Sequence, residues 1–228
     1  MPKPSKTKTD YLAKLAPDAY YHVYNRTNNR ETLFHDDEDR LFFLEQYKRF
    51  VAPYVDTYAY CLIPNHFHLM VRIKPVTVLI ALTKQIPEPQ RTAPQRRILA
   101  QKEEESDFHP LIERQFTRMF TAYAMYFNRR YHRSGNLFYR PFKRVAVDDE
   151  EHLQWLVYYI HHNPCKHGVM EDFLHYPWSS YLSLLTQKPT TLLRQAVWEL
   201  FGSKANFVAF HEVKEPQKPE KWDLDMED

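Results

Sequence analysis

The chain has 228 residues and a formal net charge of +2, with 43% hydrophobic and 26% charged residues. No apolar run approaches the ~18 residues of a membrane span, and the basic start, MPKPSKTKTDYLAK, lacks the apolar core of a secretory signal, so a cytoplasmic location is expected. Two Cys exclude a disulfide scaffold or a cysteine-built zinc site, and 3 Gly, with neither GxGxxG nor GxxxxGK[ST], exclude a glycine-rich nucleotide loop.

Residues 1–17, rich in Lys, Thr and Pro, read as a flexible basic arm. Tyr20 to Arg26 is aromatic and β-branched and predicts a strand, followed by a polar turn. Asp36 to Phe50 predicts a helix, with acids at its start and Leu41, Phe42, Leu44, Tyr47 and Phe50 at near-helical spacing. Two further strands, Val55 to Leu62 and His66 to Ile73, flank a tight turn at Ile63-Pro64-Asn65, and Pro75 closes the second. Residues 76–83 suit a short helix.

Residues 84–109 read as an insertion or connector, with prolines at 87, 89 and 94 and a helical tendency near Arg96 to Glu105. Pro110 opens a long helix to about Arg130, with Ile112, Phe116, Phe120, Tyr123 and Phe127 on one stripe. Phe138 to Val147 predicts a fourth strand. The acids at 148–151 start a helix that Asn163-Pro164 is expected to end near His162. Residues 186–228 read as a helical extension with an acidic tail. The order β-α-β-β-α-β-α implies an α+β fold: a ferredoxin-like, antiparallel four-stranded sheet with helices packed on it, spanning residues 18–185.

The small net charge conceals an uneven distribution. From Pro110 to Arg144 eight Arg/Lys stand against one acid, whereas Val213 to Asp228 carries three Lys and six acids. Basic residues interleaved with aromatics suit a nucleic-acid backbone and splayed bases. The competing reading is a buried aromatic stripe beside a solvated basic face.

His66 and His68 flank Phe67 on a predicted strand. Residues two apart on a strand share a face, so both imidazoles project together and form a candidate grip on a divalent ion. A pair of surface histidines on an edge strand would read the same way. In Trp155 to Pro164 the helical wheel buries Leu153, Leu156, Val157 and Ile160. Tyr159 lies off that stripe, with Asn163 ~40° away and one turn on. Tyr158 falls on the more outward side.

The phrases NHFHLMV, RRYHRSGNLFYRPFK, YYIHHNPCKHG and HYPWSSY, in that order between about Tyr20 and Tyr181, resemble the IS200-like single-tyrosine HUH transposases, and most closely the REP-associated tyrosine transposase branch. The resemblance implies a bacterial, nucleoid-associated enzyme acting on single-stranded DNA with hairpin ends, as a monomer or homodimer, without a nucleotide cofactor. It implies Mg²⁺ or Mn²⁺ held by His66, His68 and Asn163, and Tyr159 as the nucleophile. A free tyrosine, with a pKa near 10, is a poor nucleophile at neutral pH, and a metal beside it favours the phenolate. Attack on a phosphodiester would leave a 5′-phosphotyrosine and a 3′-hydroxyl able to reverse the step. Arg26, Arg133, Arg140 and Lys143 are candidate phosphate contacts, and Phe138 or Tyr139 candidate stacking residues. The alternative is a domesticated DNA-binding protein of the same fold without transposition activity. A histidine-metal hydrolase of small substrates would require a further His or carboxylate ligand.

Overall fold

In the computed structural model, which describes residues 9–213, 216, 218 and 219, the expected sheet forms with its expected topology. Strands β1 (Tyr20–Arg26), β2 (Val55–Ile63), β3 (His66–Ile73) and β4 (Lys143–Val147) lie in the order β2-β3-β1-β4. Every neighbouring pair is antiparallel, which is the ferredoxin-like arrangement. Both sheet edges are covered. Leu12 bridges to Arg144 beside β4, and Leu192 and Ser179 bridge to Thr57 and Cys61 on β2, which shields both edges from pairing with another strand.

Helix α1 (Asp37–Phe50) starts at Asp36, whose carboxylate accepts from the Asp39 amide. With α4 (His109–Arg130) it packs on one face of the sheet, around Phe43, Phe67, Phe116, Tyr123 and Phe127. The aromatic stripe of α4 is therefore core. Three of the eight basic residues between Pro110 and Arg144 are engaged by acids: Arg130 meets Asp36, Glu38 and Asp39, Arg133 forks onto Glu31, and Arg144 pairs with Glu113. Part of the basic segment thus neutralises acids, most of them brought to it by folding.

Three sequence expectations change. The fourth strand begins at Lys143 rather than Phe138, because Pro141 has no N–H to offer a ladder; Phe138 makes only an isolated bridge to Thr27. Helix α5 (Glu150–Lys166) runs through Pro164. Its real stop is Gly168 at φ 63°, with His167 N–H donating back to Asn163 O at 3.0 Å and Val169 N–H to Pro164 O at 2.8 Å. Tyr158 is buried against Phe173, Phe210 and His211 rather than turned outward.

Between β3 and α4 lie α2 (Val76–Lys84) and α3 (Ala93–Ala100). Residues 84–109 therefore contain a packed helix, with Ile98 in the core. Of the arm read over 1–17, Tyr11 to Ala13 run beside β4, and Leu15 is buried. After α6 (Tyr181–Leu185), helices α7 (Arg194–Leu200) and α8 (Lys204–Glu212) join α5 on the second face of the sheet. The acidic tail lies almost wholly outside the described residues.

A buried polar chain ties α8 to α5. The Tyr60 amide donates to Ser180 Oγ (2.9 Å), which pairs with His161 Nε2 (2.7 Å), while His161 Nδ1 meets His211 Nε2 (2.8 Å) and His211 Nδ1 meets the Phe207 carbonyl (2.8 Å). The terminal carbonyl only accepts, so His211 carries a proton on Nδ1; with both buried rings neutral, His161 Nδ1–H donates to His211 Nε2 and Ser180 Oγ–H to His161 Nε2. Burial lowers His211 to about 4 and His161 well below its ordinary value. The unfolded chain protonates near pH 6.5 and the folded one does not, so stability is expected to fall as pH drops from about 6.5 toward 4, by about 1 kcal/mol per pH unit per such histidine. Urea melts of the metal-free protein between pH 7 and 5 measure this. His211→Gln, which keeps an acceptor for His161 but does not titrate, should flatten the slope.

Candidate active site

His66 and His68 sit on an inner strand of the sheet, between β2 and β1, which removes the edge-strand reading. Phe67 turns into the core on the α1/α4 side, so alternation sends both histidines to the α5 side. Directly opposite residues of an antiparallel pair share a face. The register places Arg26 against His66 and Tyr24 against His68, and His22 follows Tyr24 on the same side. The β2–β3 turn is held from outside, where Pro64 O accepts from the amides of Leu33 (2.7 Å) and Phe34 (2.9 Å).

Across this face α5 lowers Tyr159 onto the histidines. The Tyr159 ring stacks on Trp155 at 5.3 Å and meets the edges of His68 at 5.7 Å and His22 at 6.1 Å. Lys166 Nζ lies 4.9 Å from its centroid. Asn163, fully buried, donates from Nδ2 to Tyr159 O at 2.8 Å. Tyr159 and the two histidines line one cavity of about 570 Å³.

The ligating capacity of these side chains can be tested against their hydrogen bonds. His66 Nδ1 is 2.7 Å from Asn65 Oδ1, which can only accept, so the proton is on Nδ1 and Nε2 carries a lone pair. His68 Nε2 and Asn163 Oδ1 are buried with no hydrogen-bond partner among the described residues, an expensive state unless something else engages them. Burial lowers His66 to about 3, helped by neighbouring His167, while the Asn163 amide works the other way. Burial also holds His68 well below its ordinary value. Two neutral imidazoles thus line the cavity and the Asn163 side chain lies beside His66, a donor set that fits a divalent ion. Among the described residues no group of three or more His, Cys, Asp or Glu is arranged to hold a metal.

The other predicted residues separate into two groups. Arg26, Tyr139, Arg140 and Lys143 line the same cavity, with Arg26 lying over the Tyr139 ring at 5.1 Å and Tyr139 43% exposed. Arg133 does not: its guanidinium is taken up by Glu31 at 2.7 and 3.1 Å and by the Asn136 carbonyl. Phe138 is buried on Phe120 and Phe67 and has no face to offer a base. Sequence reasoning missed Arg30, Asn65 and His167, which also line the cavity, and His22 beneath His68. Asn65 precedes the first histidine and was legible as a neighbour, whereas Arg30 and His167 arrive by folding alone. No Asp or Glu is among the described residues that line it, so this lining is suited to a polyanion.

No protein-family model matches the chain, and no curated protein does. Among solved structures, a REP-associated tyrosine transposase bound to a REP hairpin is similar over 80% of this chain and 89% of that chain, at 14% sequence identity and a TM-score of 0.47. Among the described residues no helix is long and apolar enough to cross a membrane.

Proposed function

We propose that this protein is a metal-dependent, transposase-like nuclease that cleaves and rejoins single-stranded, hairpin-bearing DNA through a 5′-phosphotyrosine at Tyr159. One observation carries the reading. Tyr159, His66 and His68 line one cavity with Arg26, Arg140 and Lys143 and, among the described residues, no acid, and Asn163 is one helical turn from the tyrosine.

The residues fit Mg²⁺ or Mn²⁺ through His66, His68 and Asn163, and the bound ion would polarise a phosphoryl oxygen and favour the phenolate. Arg26, Arg140 and Lys143 would hold the flanking phosphates, and Tyr139 would stack a base. Trp155 and the histidine edges fix the Tyr159 ring. The Tyr159 Oη–P bond forms as the P–O3′ bond breaks. The phenolic proton is lost to water while the leaving 3′ oxygen gains one, so the step is proton-neutral. Because the phosphodiester energy is retained in the tyrosyl ester, a 3′-hydroxyl can reverse the attack without a nucleotide cofactor. The donors are all neutral, so the ion would keep its full charge until DNA phosphate arrives, and metal affinity should rise in the presence of DNA.

The direct test incubates the protein with Mg²⁺ or Mn²⁺ and single-stranded hairpin DNA from beside its own gene, then resolves the products on a denaturing gel. A covalent protein–DNA band supports the enzyme. Binding with no adduct under either metal favours the domesticated DNA-binding reading. Within this proposal, Tyr139→Ala should weaken single-strand binding by about 1–3 kcal/mol, the usual worth of one stacked base. Fluorescence anisotropy would read that as a roughly 5- to 150-fold rise in Kd, while the Arg133→Ala effect should be small.

A further inference from the structure

His22 lies on β1, away from every motif used above, and is fully buried. Its Nε2 is 2.9 Å from His68 Nδ1, with the two ring planes within 21° of each other. A single hydrogen bond between two imidazole nitrogens has one donor and one acceptor, which leaves two arrangements. In one, His68 Nδ1–H donates to His22 Nε2 and the His68 Nε2 lone pair is free to ligate. In the other, His22 Nε2–H donates to His68 Nδ1, and His68 Nε2 carries a proton that blocks ligation.

The outer atoms of this pair, His22 Nδ1 and His68 Nε2, are both buried without a hydrogen-bond partner among the described residues. Either arrangement therefore leaves the same two atoms unpaired. An ion on His68 Nε2 satisfies one of them, and does so only in the first arrangement. Packing alone does not account for an imidazole here. A phenylalanine would fill a comparable space without stranding a buried N–H, a defect that costs about 1–3 kcal/mol.

We infer that His22 is a positioning residue for the metal centre: it accepts the His68 Nδ1 proton and thereby holds His68 in the tautomer and ring orientation that present Nε2 to the ion. Metal-bound histidines ordinarily anchor their second nitrogen on a carboxylate or a backbone carbonyl. A neutral imidazole does the same work while adding no negative charge, in keeping with a cavity lined by no acid among the described residues. The inference rests on the metal reading proposed above.

The test uses the full chain and two readouts. Mn²⁺ uptake, followed by loss of the free-ion EPR signal, should weaken about 10- to 100-fold in His22→Phe. It should recover in part in His22→Gln, whose Oε1 can accept the same proton. Side-chain ¹⁵N NMR of the unaltered protein saturated with Mg²⁺ should report His68 protonated at Nδ1. A folded His22→Phe with Mn²⁺ affinity within twofold of the unaltered chain overturns the inference. His68 protonated at Nε2 with Mg²⁺ bound would take His68 out of the ligand set and overturn the inference together with His68's part in the metal reading, a measurement that needs no variant if His22→Phe fails to fold. An unaltered chain that takes up no Mn²⁺ at all overturns the metal reading and this inference together, whereas uptake indifferent to His22 overturns only the latter.

Discussion

Tyr159→Phe is expected to abolish the covalent protein–DNA adduct while leaving fold and DNA binding in place. The substitution removes one oxygen. The ring remains stacked on Trp155 at 5.3 Å, against the edges of His68 and His22 and under Lys166, so packing is preserved. Loss of a covalent nucleophile lowers turnover on the order of 10³-fold or more. A denaturing gel with labelled hairpin DNA measures the adduct, and anisotropy measures binding. Tyr158→Phe is the matched control, since Tyr158 points toward Phe173, Phe210 and His211. It should retain the adduct. The reverse pattern, with Tyr159→Phe active and Tyr158→Phe inactive, would move the chemistry to Tyr158.

The second large effect is expected at His68. His68→Ala should eliminate Mn²⁺ uptake and lower adduct formation on the order of 10³-fold, because Lewis-acid assistance to phosphoryl chemistry contributes several kcal/mol. It should also destabilise the protein. His68 is 2% exposed and bonded to His22 at 2.9 Å, so the change opens a buried space and strands a second imidazole, costing about 1–3 kcal/mol for the polar group alone. His66→Ala offers the contrast. His66 is only partly buried, and its hydrogen bond is to the neighbouring Asn65, so catalysis should fall with little change in a urea melt. Adduct formation that survives either variant, or that is indifferent to EDTA, would remove the metal from the mechanism.

Strand positions and faces were readable because a period of two leaves few options. Tyr20–Arg26 and His66–Ile73 form over the predicted spans, and the alternation around Phe67 sends both imidazoles to one side. The helical wheel separated Tyr159 from the apolar stripe for the same kind of reason, since a fixed rotation per residue needs no tertiary information. It failed for Tyr158, because a wheel measures direction and not cover: α8 buries the side that a lone α5 would expose. Pro164 misled at the end of α5, where the terminating signal was Gly168 and its left-handed backbone. In the fourth strand the missing N–H of Pro141 delays pairing to Lys143.

The basic segment is the feature that folding altered most. Composition treats its eight cations alike, yet Arg130, Arg133 and Arg144 are spent on acids far away in sequence, and Arg140 and Lys143 reach the cavity. By itself the amino-acid sequence determined the α+β order, the shared face of His66 and His68, and the proximity of Tyr159 to Asn163, because each follows from a local backbone period. The tertiary structure alone decided which cations remain available, which ring lies exposed for stacking, and that His22 on one strand meets His68 on another. Those are pairings between distant segments, and no local period encodes them.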